Sequence, residues 1–345
     1  MRNGIKITVF VLIAFLLASF LAGIVLLRAY HKAAFDGYGE PTTSVEFTIE
    51  EGETVTEIAA SLLDAGIINN DFFFKIFVNQ HELSGKLQAG SFSIPNNLSF
   101  EELAEILQHA VFPDIWVTVP EGLMATDTAD IISAAFATNP DASFSEDDFL
   151  LYVSREKTVD MGDIPIPDEV TLEGYLYPDT YQFPPEATAE YVVTSIIDNL
   201  DTQVYEPHLE EITSSSFSFH EILTLASILE RETRHAADRP IVADILIRRL
   251  ENGWALEVDA TLLYYFEDWT YELSYDDLQV DTPYNTRKYQ GFPPTPISNP
   301  GLETVTAVLH PQANNYWYFI SDSDGILHYA STLEEHNQNI RTYLQ

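Results

Sequence analysis

Residues 220–233 read H-E-I-L-T-L-A-S-I-L-E-R-E-T, and the angular order of these side chains decides how the chain folds around them. At 100° per residue, counted from Ile222, the apolar residues Ile222, Leu223, Leu225, Ala226, Ile228 and Leu229 spread over about 220°. That arc is too wide for a surface helix and predicts a largely buried one. Thr224, Ser227 and Arg231 fall between about 140° and 200°, on the side expected to be wet. Glu230 falls near 80° and Glu232 near 280°, both inside the apolar arc. A carboxyl placed there loses solvation, which favours its neutral form and raises its pKa. A carboxylic acid still protonated near neutral pH suits protonation of a leaving oxygen. Periodicity does not choose between the two glutamates. It also allows both to lie past the last buried turn and pair with Arg231, Arg234 or Arg239.

Two further segments concentrate chemistry. Thr171–Phe183, T-L-E-G-Y-L-Y-P-D-T-Y-Q-F, sets Glu173 and Asp179 among four aromatic rings, with Gly174 and Pro178 predicting a loop or broken strand. Rings beside carboxylates and hydroxyls suit a sugar, and they suit a core equally well. Pro283–Gly301, P-Y-N-T-R-K-Y-Q-G-F-P-P-T-P-I-S-N-P-G, is stiffened by its prolines into a rigid extended loop. It offers Asn285, Arg287, Ser298 and Asn299 as hydrogen-bonding groups, or it is a connector only. The nine histidines are scattered with no H-x-x-x-H or H-E-x-x-H spacing, and there is no glycine-rich phosphate loop or G-x-S-x-G. No metal and no cofactor are expected.

The 345-residue chain carries 16 Lys and Arg against 54 Asp and Glu, a net charge of −38. Such a surface repels nucleic acid, whose binding depends on basic side chains neutralising phosphates. The acids are spread along the chain, as solubility or a salty medium would favour. The absence of cysteine excludes disulfides, thiolate metal sites, a cysteine nucleophile and a lipidated-cysteine anchor. Ile7–Leu27 is a 21-residue run without a charge, long enough to cross about 30 Å of hydrocarbon as a helix. It exceeds the apolar core of a cleaved signal and no small-x-small site follows it. Basic residues flank it almost evenly, so orientation rests on the large acidic body after a single span, which is expected outside the cytoplasm.

The sequence is therefore read as α+β in class. Residues 1–6 form a cytoplasmic N-terminus, 7–27 a single transmembrane helix and 28–43 a linker; 44–111 form a small α+β domain and 112–345 a larger α+β catalytic domain. In the small domain Val45, Phe47 and Ile49 alternate as in a strand, and Thr54 caps a helix carrying Val55, Ile58, Ala59, Leu62 and Leu63. A helix over 70–79, a strand over 86–94 and a helix over 99–109 opened by an S-F-E-E capping box follow. This order resembles the LysM module, which binds N-acetylated wall sugars. The strand, E-G turn and helix recur at 115–136, too few copies for a solenoid.

Together, V-P-E-G (119–122), L-E-G-Y-L-Y-P-D-T-Y-Q-F (172–183), A-S-I-L-E-R-E-T (226–233), R-R-L-E-N-G-W-A-L-E-V-D-A-T-L-L-Y (248–264), Y-N-T-R-K-Y-Q-G-F-P-P-T-P-I-S-N-P-G (284–301), H-P-Q-A-N-N-Y-W-Y-F (310–319) and S-T-L-E-E-H-N (331–337) resemble the endolytic murein transglycosylases of the YceG-like family. These are membrane-anchored enzymes that cut nascent peptidoglycan. The resemblance implies a lyase that breaks the bond between N-acetylmuramic acid and N-acetylglucosamine, leaves 1,6-anhydro ends and ends glycan polymerisation. It implies Glu232 as the catalytic acid, with Glu230 as a neighbour whose charge would raise the Glu232 pKa further. It also implies a cleft that involves Glu173, Tyr177 and Asp179 of the L-E-G-Y-L-Y-P-D-T-Y segment and Asn285, Ser298 and Asn299 of the two loops. Glycan strands are the implied partner, with peptidoglycan synthases as candidates. Glu257 stands where the family usually has Gln, and Thr295 where it often has Gly. A hydrolase using water, or a non-catalytic wall-binding scaffold, remains the alternative.

Overall fold

The computed structural model describes residues 2–37, 43–109, 114–139, 142 and 144–344, and divides into two compact units, Met1–Pro113 and Asp114–Gln345. Helix α1 spans Arg2–His31 and continues as a π-helical turn over Lys32–Asp36. The segment expected as a linker over 28–43 is thus helical as far as Asp36. The physical reason is packing: Ala33 and Ala34 are buried in the small unit's core, and the Tyr30 ring meets Phe73 edge-on. The stretch beginning at Phe10 is long and apolar enough to cross a membrane.

The rest of the first unit comprises β1 (Ser44–Ile49), α2 (Val55–Asp64), α3 (Asp71–Gln80), β2 (Gly90–Pro95) and α4 (Phe100–Ile106). β1 and β2 pair antiparallel, Phe47 opposite Phe92. Thr54 and Ser99 close capping boxes with Glu57 and Glu102, satisfying amides that a helix start otherwise leaves bare. Phe74, Phe77, Phe92 and Phe100 fill the core. β2 begins at Gly90 and not at residue 86, because residues 84–86 form a turn.

The second unit opens with β3 (Ile115–Thr118), α5 (Ala125–Phe136) and α6 (Glu146–Val153). It continues through β4 (Thr180–Phe183), α7 (Ala189–Leu200), α8 (Leu209–Ser214), α9 (Phe219–Glu232), α10 (Arg239–Glu251), α11 (Ala260–Tyr265) and α12 (Leu302–Leu309). It ends with β5 (Tyr318–Ser321), β6 (Leu327–Ala330) and α13 (Leu333–Tyr343). β3 pairs with β4 and β5 with β6, each antiparallel. The expected α+β class is borne out, with small two-stranded sheets held among helices.

Helix α9 is the centre of this unit. Every residue from Ile222 to Leu229 is buried, and α10, α11 and α12 pack on it. Thr224 and Ser227, expected on a wet side, are buried too. Thr224 returns its hydroxyl to the His220 carbonyl at 2.8 Å. Ser227 is enclosed by the proline-rich loop: its Oγ accepts the Ile297 amide at 3.0 Å, and its carbonyl accepts the Ser298 hydroxyl at 3.2 Å. A loop that covers the polar stripe of a helix removes that helix's wet side, which periodicity alone does not foresee.

The same loop explains Gly174. Its φ is +85°, and a Cβ added there would lie 2.3 Å from Pro296 Cβ. Gly174→Ala should therefore cost about 2–4 kcal/mol, combining left-handed backbone strain with overpacking. Thermal unfolding of the full chain in detergent measures it; a change below 1 kcal/mol would contradict this reading of the contact.

Candidate active site

Helix α9 starts at a capping box, Ser218 with Glu221, and stops where Thr233 turns extended. The Thr233 hydroxyl donates to the Leu229 carbonyl at 2.8 Å. The two glutamates at this end are two residues apart and so point about 200° apart. Their fates differ accordingly. Glu230 is held by an ion pair to Arg239 at 3.0 Å and by bonds from the Gly301 amide (3.1 Å) and the Thr304 hydroxyl (2.7 Å). It thereby caps the start of α12. Glu232 lines a cavity of about 390 Å³, shared with Arg249, Glu257, Asp259, Arg287, Tyr318 and His336.

Glu232 keeps some surface toward this cavity, while protein packed around it desolvates the carboxyl. Desolvation, with the negative charge of Asp259, raises its pKa to about 7; the Ala260 amide, Arg287 and Arg249 pull the other way. The like charge is Asp259, and not Glu230 as expected, because Glu230 faces away and is neutralised by Arg239. Asp259 is itself anchored: its Oδ1 accepts from Arg287 Nε at 3.1 Å and Nη2 at 2.6 Å. Arg249 is buried and committed to backbone, donating to the Trp317 carbonyl at 3.0 Å and 2.6 Å and also to the Leu256 carbonyl. Its guanidinium lies 5.9 Å from the Tyr318 ring centroid.

The segment bearing Glu257 and Asp259 is held by the Y-N-T loop. The Glu257 amide donates to the Thr286 carbonyl at 3.0 Å, and the Val258 amide to Thr286 Oγ1 at 3.2 Å. Glu257 takes a φ of +55°, a left-handed conformation unfavourable for a residue with a Cβ and of the kind that collects at functional sites.

Of the seven residues that the resemblance implies for the site, Glu232 lines the cavity and the other six do not, while Arg287, offered by the proline-rich loop, lines it too. Asn285 is buried; its Nδ2 donates to the Leu278 and Val280 carbonyls and its Oδ1 accepts the Arg287 amide, which sets where Arg287 leaves the loop. Ser298 stitches the loop to α9. Buried Asn299 accepts from the Gly174 and Leu176 amides at 2.9 Å each and donates to the Leu123 carbonyl and Glu173 Oε1. Glu173 is buried against the start of α5, both oxygens 3.1 Å from the Ala125 amide, and burial lifts its pKa to about 7 as well. Tyr177 is buried and its carbonyl accepts the Tyr181 hydroxyl. Asp179 lies in a separate shallow groove with Ser195 and Asn199, accepting from Asn199 at 2.9 Å. Thr295 is buried and bonds to Tyr284. Of the two carboxyls lifted to about 7, Glu232 lines the cavity and Glu173 does not.

Periodicity missed Arg249, Tyr318 and His336, which reach the cavity from α10, β5 and α13. Their signal lay in the R-R-L-E-N-G-W, H-P-Q-A-N-N-Y-W-Y-F and E-E-H-N motifs. Among the described residues no cluster suited to a metal ion occurs, and of the cavity's acids Asp259 is paired with Arg287.

The YceG-like family is matched over residues 47–342. The endolytic murein transglycosylase of Bacillus subtilis is 31% identical over 315 residues, covering 88% of this chain and 85% of that protein. That of Streptococcus pneumoniae is 25% identical over 320 residues, covering 86% of this chain but 58% of the pneumococcal protein. A crystal structure of a yceG-like protein from Listeria monocytogenes superposes with a TM-score of 0.57 at 29% identity, covering 87% of this chain and 99% of that one. The chain belongs to the YceG-like family, as its motifs imply.

The raised Glu232 pKa has a consequence for stability. A carboxyl that ionises near 4.5 in the unfolded chain and near 7 in the folded one makes the native state lose stability as pH rises from about 4.5 to about 7, with a constant deficit above. Glu232→Gln should therefore be more stable than wild type by about 1–3 kcal/mol at pH 8. The advantage should shrink to nothing below about pH 4.5. Denaturant unfolding of both forms at the two pH values checks this.

Proposed function

We propose that this protein is an endolytic lytic transglycosylase of peptidoglycan, and that Glu232 is its catalytic acid and base. The observation that carries the proposal is the Glu232 carboxyl, its pKa raised to about 7, at the wall of a cavity whose cations are already fixed in place. In this mechanism the Glu232 carboxylic acid gives its proton to the oxygen joining N-acetylmuramic acid C1 to N-acetylglucosamine. The C1–O bond breaks and positive charge develops on the sugar ring. The Glu232 carboxylate then takes the proton of the muramic C6 hydroxyl as that oxygen bonds to C1. The products are a 1,6-anhydro end and a free N-acetylglucosamine hydroxyl. No water is consumed, and the glutamate returns protonated. Arg287 and Arg249 supply positive charge that makes the ionised form accessible in the second step, while desolvation and Asp259 favour the protonated form of the first; a pKa near the working pH serves both.

The six other residues that the resemblance implies for the site are proposed as framework. Asn285 positions Arg287; Asn299, Ser298 and Glu173 join the proline-rich loop, the start of α5 and α9 into one rigid wall; Tyr177 and Asp179 hold the base of β4. Helix α1 is proposed to anchor the chain in the cell membrane with the catalytic domain on the extracytoplasmic side. In the same proposal residues 44–111 act as a LysM-like glycan-binding domain, residues 112–345 form the catalytic domain, cleavage ends glycan polymerisation, and peptidoglycan synthases are partners.

Asp259 and Glu257 in the same cavity favour a second reading, in which one of them activates water and the enzyme is a hydrolase. Mass spectrometry of strand ends separates the two. The full chain in detergent should release anhydro ends from purified uncross-linked strands. Glu232→Gln should lower that release by at least about 10³-fold, and Glu230→Gln should leave it well above the Glu232→Gln level in protein that folds. Ends heavier by one water identify hydrolysis. Cleavage that survives Glu232→Gln overturns the choice of acid.

The pH profile supplies a further check. With Glu232 as the acid, kcat/KM should fall about tenfold per pH unit above about pH 7, as the protonated fraction falls. Asp259→Asn, by removing the like charge, should move that descending limb to lower pH. A limb that stays in place would remove Asp259 from the account of the pKa.

A further inference from the structure

Helix α13 closes one side of the cavity, contributing Leu333 and His336. His336 plays no part in the mechanism above. Its imidazole stacks on the Tyr318 ring with centroids 5.0 Å apart and planes 24° from parallel, which fixes the ring plane. Its Nδ1 is sealed from solvent and has no hydrogen-bond partner among the described residues, although the residue as a whole is only half-buried. Burial and the nearby Arg249 hold the imidazole pKa below its ordinary value, against the weaker pull of Glu257.

A neutral imidazole carries one proton, on either nitrogen. A sealed nitrogen without a partner costs desolvation whether it is donor or acceptor, and Nδ1 is such a nitrogen, so a proton on Nε2 is the one that a ligand can accept. The other polar groups of the cavity are mostly acceptors or already committed: Glu232, Glu257 and Asp259 are acids, Arg249 is bonded to the Leu256 and Trp317 carbonyls, and Arg287 is bonded to Asp259. Beyond the Tyr318 and Ser321 hydroxyls, uncommitted donors are scarce in a site meant to hold a sugar rich in acceptor oxygens.

We propose that His336 is a saccharide-binding residue of this cavity, donating from Nε2 to an acceptor oxygen of the sugar bound beside Glu232. The acetamido carbonyl is the best-matched acceptor, being a strong one that no carboxylate in the cavity can serve. This rests on reading the cavity as the glycan site, and it adds a substrate contact from the far C-terminal end of the chain.

The test is binding, so that it does not depend on turnover. A purified uncross-linked tetrasaccharide of alternating N-acetylglucosamine and N-acetylmuramic acid is titrated calorimetrically into the full chain in detergent, in a Glu232→Gln background. Adding His336→Phe keeps a ring to stack on Tyr318 but removes the donor, and should weaken Kd about tenfold. Adding His336→Gln instead retains an N–H donor and should keep Kd within about threefold of the background. Should the Phe variant lose its native near-ultraviolet dichroism, His336→Met takes its place against the Gln variant. Equal Kd values for the background and the donor-less variant overturn the proposal, as does equal weakening by Phe and Gln. Failure of the reaction itself is seen separately. A wild-type chain that yields no anhydro ends, while Kd still depends on the His336 donor, removes the transglycosylase reading and leaves this contact standing.

Discussion

Burial of helix α9 is the constraint on which the rest of the second unit depends. From Ile222 to Leu229 no side chain reaches water, so the helix cannot shift without opening the core. Its last turn therefore delivers Glu230 and Glu232 to opposite sides at fixed positions. On one side the carboxyl meets Arg239, the Gly301 amide and the Thr304 hydroxyl, and is fully compensated. On the other it meets a cavity in which protein has displaced much of the water and Asp259 adds a like charge. The same residue type on the same turn becomes a structural anchor or an acid because burial forces each carboxyl to take what its own side offers.

Of the polar residues in the loop motifs Arg287 lines the cavity, while Asn285, Ser298 and Asn299 bond beneath it. Asn299 alone joins Leu123, Glu173, Gly174 and Leu176, three stretches distant in sequence. Ser298 and Ile297 fasten the proline-rich loop to Ser227 of α9. Such bonds are modest singly, but each satisfies a buried group that would otherwise be costly. A wall made this way is rigid, which is what a preorganised electrostatic site needs. The strained backbone of Glu257, held through Thr286, belongs to the same construction.

Local signals in the sequence were readable where local physics is sufficient. The capping boxes at Thr54 and Ser99 and the alternation around Phe47 correspond to the observed elements, because a helix start or a half-buried strand is set by residues within a few positions. The α9 wheel correctly placed both glutamates against protein. It erred at Thr224 and Ser227, because the proline-rich loop that covers them is about 70 residues away in sequence. The charge that acts on Glu232 is that of Asp259, from another segment, and not that of Glu230 as expected. The stretch after Leu27 stays helical to Asp36 because Ala33 and Ala34 find a core to enter, and nothing local announces that core.

The sequence by itself determined the apolar N-terminal helix, the α+β class, the family and the pair of glutamates between which chemistry had to choose. All of these rest on composition, short-range periodicity or the order of motifs. Only the tertiary structure decided that Glu232 faces a cavity while Glu230 does not, that the six other residues lie outside that cavity's lining, and that Arg249, Tyr318 and His336 converge on it. The reason is that desolvation and Coulomb interaction act through space. The groups that set the character of Glu232 on α9 arrive from α10, the start of α11 and the proline-rich loop, and no spacing along the chain encodes that convergence.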